Sequence, residues 1–173
     1  MKNLHLFCLL VLSCGNALSQ TKIETNESYP KVVGYFSFIL PVVAINKSKT
    51  TYDFSNNFDS FAIGFPVGIN ILYSNKLGFS FEVTPTVKAT PAGIKTSNLL
   101  FDPGPMFRLK RGFAFIPRLA FETAGRYGIT PVLTKVLQGN TFNYFVSVSV
   151  PVRYGNAELP SVGGNLQIGI IFK

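Results

Sequence analysis

Little in this sequence can carry out chemistry. Tryptophan is absent, and His5, Cys8 and Cys14, the only histidine and cysteines, fall within the first 14 residues. From residue 20 onward there is neither thiol nor imidazole. That excludes zinc sites built from Cys and His and nucleophiles of the Ser-His-Asp or Cys-His type. Acid–base work near neutral pH would fall to carboxylates, Lys or Tyr. Charged residues make up only 14% of the chain, and no five basic residues run together. No GxGxxG, Walker loop or metal-ligand spacing occurs. Beyond the N-terminal segment no run reaches 18 apolar residues, which excludes a helical membrane span there.

What is present begins with export. Met1-Lys2-Asn3 is short and positively charged, Leu4 to Leu12 is almost continuously apolar, and Ala17-Leu18-Ser19 places small residues before Gln20. This is the layout of a secretory signal peptide over residues 1–19, with cleavage expected after Ser19. An anchoring helix would need about 20 apolar residues. A second reading stays open: Val11-Leu12-Ser13-Cys14 is similar to a lipobox, in which Cys14 would be lipidated. Either way the chain leaves the cytoplasm. Residues 20–30 then form a polar lead-in, and residues 31–173 a single domain. After cleavage 15 Lys and Arg face 8 Asp and Glu, because Lys2 is removed from the 16 of the whole chain. The scatter of these cations, together with export, argues against a nucleic-acid partner. It suits turns and rims that meet lipid head groups and lipopolysaccharide phosphates.

Almost every segment of the domain alternates with period 2, a pattern that a helix does not produce. Leu77, Phe79, Phe81, Val83, Pro85 and Val87 lie on one face, and Gly78, Ser80, Glu82, Thr84, Thr86 and Lys88 on the other. The same alternation marks 61–73, 113–122 and 142–154. Eight strands are predicted, at about 32–45, 60–73, 77–88, 98–109, 113–124, 129–137, 141–154 and 163–173. Lys110-Arg111-Gly112 suits a three-residue hairpin loop that pairs Leu109 with Phe113 and Arg108 with Ala114. Ser74-Asn75-Lys76 likewise pairs Tyr73 with Leu77. Tight turns alternate with generally longer connections at 46–59, 89–97 and 155–162, as in barrels whose termini share the periplasmic end. The link at 125–128 is the short exception.

The faces decide between two kinds of barrel. A soluble one puts its large apolar side chains inside. Here the apolar face carries Phe, Leu, Ile, Val and Tyr, whereas the other carries Gly, Ala, Ser, Thr, Asn and charges, which would make a poor dry core. Residues 77–87, extended over roughly 33 Å and tilted by about 40°, cover the roughly 25 Å apolar band of an outer membrane. The fold class is therefore all-β: one antiparallel, up-and-down transmembrane barrel of eight strands with its apolar face outward. Prolines oppose this reading. Pro41, Pro66, Pro85, Pro103, Pro105, Pro117, Pro131 and Pro151 fall inside the expected strands, where each removes a ladder donor. Bulges, waters or strand ends are expected there, and Pro105 should face Pro117.

On this evidence the chain resembles the small outer-membrane β-barrel proteins, of the OmpA/OmpX-like and porin-like eight-stranded kind. The resemblance covers nearly the whole domain and is one of architecture. Its most specific part is the last strand, where Leu166, Ile168, Ile170 and Phe172 fit the alternating, aromatic-closed signal that such proteins present to the barrel-assembly machinery. Lys173 after the aromatic, and Gln167 where Gly is usual, depart from that signal. Barrel hydrolases and acyltransferases use Ser with His, so the resemblance together with the missing histidine implies a protein that is not an enzyme and needs no cofactor.

The polar faces project Glu82, Asp102, Arg108, Arg118, Glu122 and Arg153 into one lumen. Asp102 lies diagonally opposite Arg118 and Glu122 on the expected register, within reach of long side chains. An eight-stranded barrel is barely wider than its own side chains, which favours a structural network of paired charges. The alternative is a selectivity constriction in a narrow porin-like channel for small solutes, and a third reading is a soluble lipocalin-like carrier. Gly125-Arg126-Tyr127-Gly128 is expected as a tight surface loop in which Arg126 and Tyr127 are available for contacts.

Overall fold

A computed structural model describes residues 28–46, 50–52, 61–90 and 93–172. The expected signal peptide at 1–19, Cys14 and most of the expected 46–59 connection lie outside these residues. Eleven β-segments run in chain order: β1 (Lys31–Asn46), β2 (Thr50–Tyr52), β3 (Phe61–Gly64), β4 (Val67–Leu72), β5 (Leu77–Thr90), β6 (Gly93–Arg108), β7 (Phe113–Glu122), β8 (Arg126–Leu137), β9 (Asn143–Ser149), β10 (Val152–Gly155) and β11 (Ser161–Ile171). They form one antiparallel sheet closed by β11 against β1, from Tyr35↔Ile171 to Asn46↔Ser161. The segments β2 to β4 are pieces of one barrel strand, as are β9 and β10, so the wall is an eight-stranded barrel.

The hairpin registers follow from side-chain parity, because a slip of one residue would turn every apolar side chain inward. Leu72 pairs with Gly78 and Arg108 with Ala114, as the alternation requires. Tyr73 and Leu109 close the two turns with backbone bonds to Leu77 and Phe113. The described residues of the expected loop at 89–97 are instead strand: β5 and β6 continue as a ladder to Thr90↔Gly93. A register shift opposite Thr86/Val87 absorbs the residue that blurs the alternation there. Arg126, Tyr127 and Gly128 also lie in a strand, β8. The turn before them is Thr123-Ala124-Gly125, with Gly125 at φ 84 and its N–H donating to Glu122 O.

Prolines mark the irregularities of the wall. Pro66 separates β3 from β4, Pro151 separates β9 from β10, and Pro41 adjoins a bulge in β1. Pro103, Pro105 and Pro117 fall on the β6–β7 seam, where pairing stops after Phe101↔Phe121 and resumes at Phe107↔Phe115. Their carbonyls keep working elsewhere. Pro66 O accepts from Ser37 N, Pro85 O from Phe65 N, Pro131 O from Val150 N and Pro151 O from Gly163 N, all at 2.8–3.0 Å. A proline in this barrel loses its donor, while its acceptor can still bridge to the next strand.

The two faces of the wall are opposite in character. Arg118 is 4% exposed and its neighbour Leu119 53%. The outward face is a belt of Val67, Ile69, Phe81, Phe101, Phe115, Phe121, Ile129, Leu133, Val148 and Ile168, all exposed. The lumen is layered. Its short-turn end is plugged by Met106, Ala114, Ile116 and Val132, against which Leu72 packs. Mostly polar side chains fill the rest, together with Ala120, Tyr35 and Phe145.

Candidate functional site

The middle of the lumen is organised around Glu82, which β5 turns inward by the same alternation that turns Phe81 outward. Its Oε2 takes three donors from three other strands. Tyr35 Oη on β1 donates at 2.8 Å, Arg118 Nη1 on β7 pairs at 2.9 Å, and Gln167 Nε2 on β11 donates at 3.0 Å. Thr84 Oγ1 donates to Oε1 at 3.2 Å. Arg118 is shared in turn: Nη2 donates to Tyr35 Oη at 3.0 Å and to Ser80 Oγ at 3.1 Å. Gln167 Nε2 also reaches Ser37 Oγ at 2.9 Å. A carboxylate taken out of water is costly unless its lone pairs are filled, and here both oxygens are engaged.

The ring of Tyr35 reaches Glu82 across a gap left by Gly68. A side chain built at Gly68 would run into that ring, so the glycine is what lets the tyrosine lie flat across the lumen. On its other side Tyr35 meets Phe145 edge-on, with ring centroids 5.7 Å apart.

Glu122 and Arg153 form a second pair nearer the long-loop end. Arg153 Nε lies 2.8 Å from Glu122 Oε1, Nη1 donates to Ile129 O at 3.0 Å, and Nη2 donates to Thr130 Oγ1 at 2.9 Å. Asn98 Nδ2 donates to Glu122 Oε2 at 2.8 Å. Asn98 Oδ1 accepts from Thr123 Oγ1 and Ala124 N, which ties the pair to the 123–125 turn.

The six residues read from the sequence as one interior cluster therefore divide. Glu82 and Arg118 form one site, and Glu122 and Arg153 another. Asp102 is inward and buried but does not bridge Arg118 and Glu122 as its register position suggested. It stands directly opposite Glu82, and its Oδ1 has no hydrogen-bond partner. Arg118 reaches past β6 to Glu82 on β5 instead, and its own Nε is left without a hydrogen-bond partner. Arg108 belongs to neither site. It lies at the short-turn end, where Nη1 donates to Tyr29 Oη at 3.2 Å and to Ser74 O at 3.1 Å.

Arg126 and Tyr127 point in opposite directions from the start of β8. Arg126 is held by Ser161 Oγ at 2.9 Å and by an ion pair with Glu158 at 3.0 Å. Tyr127 is exposed and sits opposite Tyr154 across the strand pair, with centroids 6.5 Å apart. It is an outward aromatic at the rim.

Tyr35, Ser37, Ser80, Thr84, Thr130 and Gln167 were not singled out as site residues from the sequence. Gln167 carried a signal, since it stood where the strand pattern wanted a small residue. That departure is the lumen's own requirement for a donor to Glu82. Among the described residues no three His, Cys, Asp or Glu side chains gather where they could hold a metal ion. The middle of the lumen is closed to water: Ser37, Ser80, Glu82, Asp102, Ser147 and Gln167 are each at most 2% exposed.

No protein-family model matches the sequence, and no curated protein matches it significantly. Among solved structures the chain is similar to the solution NMR structure of a de novo designed protein, TMB2.3, with 12% identical residues and a TM-score of 0.43, over 83% of this chain and 94% of that one.

Proposed function

We propose that this chain is an integral outer-membrane β-barrel protein without catalytic activity, whose side-chain-filled lumen serves a structural role or a binding role at its long-loop end. The observation that carries the proposal is the inversion of the wall. Apolar side chains are exposed all round the barrel, while arginines, carboxylates, serines and threonines are buried within it. In water that outer belt would be far larger than the apolar patches of a soluble monomer. In lipid it is the required surface, and barrel closure leaves no unpaired edge.

The location follows from export of the chain to the cell outer membrane of a Gram-negative envelope. There the belt meets lipid, and the rims meet lipopolysaccharide and phospholipid head groups. Leu166, Ile168 and Ile170 lie on the outward face of β11, the face offered to the assembly machinery before closure, and Phe172 follows with its ring exposed. A water-filled pore would leave the residues lining it accessible, so the buried lumen supports a plugged barrel over a porin-like channel.

Membrane fractionation with heat-modifiable gel mobility tests the placement. Recovery in the detergent-extracted envelope fraction, with a faster band before boiling, is the expected result. Recovery in an aqueous fraction without detergent would instead support the soluble carrier. Planar bilayers test the plug: stable conductance steps that change when Arg118 is replaced would overturn it in favour of a channel.

A further inference from the structure

The charges of the barrel are segregated along its axis. The carboxylates of the described residues are Glu82 and Asp102 in mid-lumen and Glu122 and Glu158 toward the long-loop end. None lies at the short-turn end. Cations concentrate there instead, and four of them form a continuous arc. Lys76 sits exposed in the turn between β4 and β5, and its carbonyl accepts from Arg108 N at 2.7 Å, which holds this turn against the next. Lys110 and Arg111, both exposed, form the turn between β6 and β7. Lys135 on β8 donates from Nζ to Arg111 O and lies over the Phe113 ring, 4.7 Å from its centroid.

The arc spans β5 to β8, half of the wall. The turn that follows β8, Gln138-Gly139-Asn140-Thr141-Phe142, is uncharged. Directly beside the cations the outward face exposes Leu77, Phe107, Leu109 and Phe113. Clustered like charges repel one another, and no acidic side chain among the described residues offsets them here. The cost falls when an anion sits between them, and the apolar strip below accepts chains rather than water.

We infer that this arc holds the head groups of anionic phospholipids, their phosphates against Lys76, Lys110, Arg111 and Lys135 and their acyl chains along Leu77, Phe107, Leu109 and Phe113. The inference rests on the membrane-barrel reading and adds to it a lipid class and one side of the wall. Phospholipid is the occupant because the arc shares its end of the barrel with both ends of the strand-forming chain, the periplasmic end of such barrels.

The test is native mass spectrometry of the full-length chain refolded with a mixture of phosphatidylglycerol and phosphatidylcholine. Selective retention of phosphatidylglycerol is expected, weakened roughly fivefold for each cation removed in Lys76→Gln, Lys110→Gln and Arg111→Gln. These lie in exposed turns, so the single variants carry the test if the triple variant does not fold. Lys88→Gln with Lys95→Gln, near the opposite end, is expected to leave retention unchanged. Equal retention of both lipids, or equal loss from the Lys88 and Lys95 replacements, would overturn the arc while leaving the barrel reading intact. Preference for lipopolysaccharide over phosphatidylglycerol, lost in the same variants, would overturn the assignment to phospholipid. A chain with no heat-modifiable band in any lipid would overturn the membrane reading and the arc with it.

Discussion

Glu82–Arg118 and Glu122–Arg153 are nearly the same length, 2.9 and 2.8 Å, yet they are held differently. The first is sealed: its side chains are 4% and 2% exposed, and its partners come from β1, β5, β7 and β11. The second is more open, with Glu122 14% exposed; β8 holds Arg153 through Ile129 O and Thr130 Oγ1, and Asn98, itself tied to the 123–125 turn, holds Glu122. Removing one member of a sealed pair leaves a charge that nothing can solvate. Removing one member of an open pair leaves a charge that water can reach. The difference between the sites is therefore one of access more than of bond geometry.

The largest effect is expected from Arg118→Ala, which strips Glu82 of its counter-charge and should lower stability by about 3–5 kcal/mol. Urea unfolding in detergent micelles reads it, and an unchanged midpoint would mean that the site is not sealed in solution. Arg153→Ala should cost less, about 2 kcal/mol, because Glu122 keeps Asn98 and gains water. If its loss equals that of Arg118→Ala in the same titration, the comparison fails. Gly68→Ala probes the sealed site without touching a charge. It drives a methyl into the Tyr35 ring and should destabilise by roughly 1–3 kcal/mol, the range for overpacking. Tyr35→Phe in the Gly68→Ala background should then add less than it does alone, which a double-mutant cycle measures.

The smallest effect sharpens the contrast from outside. Lys88 and Lys95 are direct cross-strand neighbours and both exposed. Like charges so placed are mildly destabilising, so Lys95→Glu should raise the thermal midpoint by an amount equivalent to roughly 0.2–1 kcal/mol. A gain as large as the loss in Arg118→Ala would show that burial is not what sets the scale.

Much of the wall was legible because a closed barrel with two unlike faces obliges each strand to obey period 2, and parity then dictates register. Leu109 meeting Phe113 follows from it, whereas the expected pair Pro105 and Pro117 falls in the gap of the β6–β7 ladder. Parity reports which face a side chain takes. It says nothing of height along the axis, nor of what lies across the lumen. Arg108 has the right parity for the interior cluster but sits at the mouth. Arg118 passes over Asp102, its diagonal neighbour on β6, for Glu82 on β5, because in a narrow tube inward side chains two strands apart can meet. Tyr35 was hidden for another reason. In Val33-Gly34-Tyr35-Phe36 both faces look apolar, and only its hydroxyl distinguishes the lumen residue. The strand arms at 89–97 were obscured by the register shift, since one extra residue inverts the apparent alternation beyond it.

The carboxylate of Glu82 also reports on whether the tube is complete. Of its cross-strand donors, Tyr35 comes from the first strand and Gln167 from the last, 132 residues apart in the chain (167 minus 35). These two strands become neighbours only when the sheet rolls shut. Until then an open sheet offers this anion no full set of donors and must leave it to water. The interior thus favours the finished cylinder over partly zipped arrangements, and it couples the fates of β1 and β11. Closure of the tube is thereby recorded in one side chain at its centre.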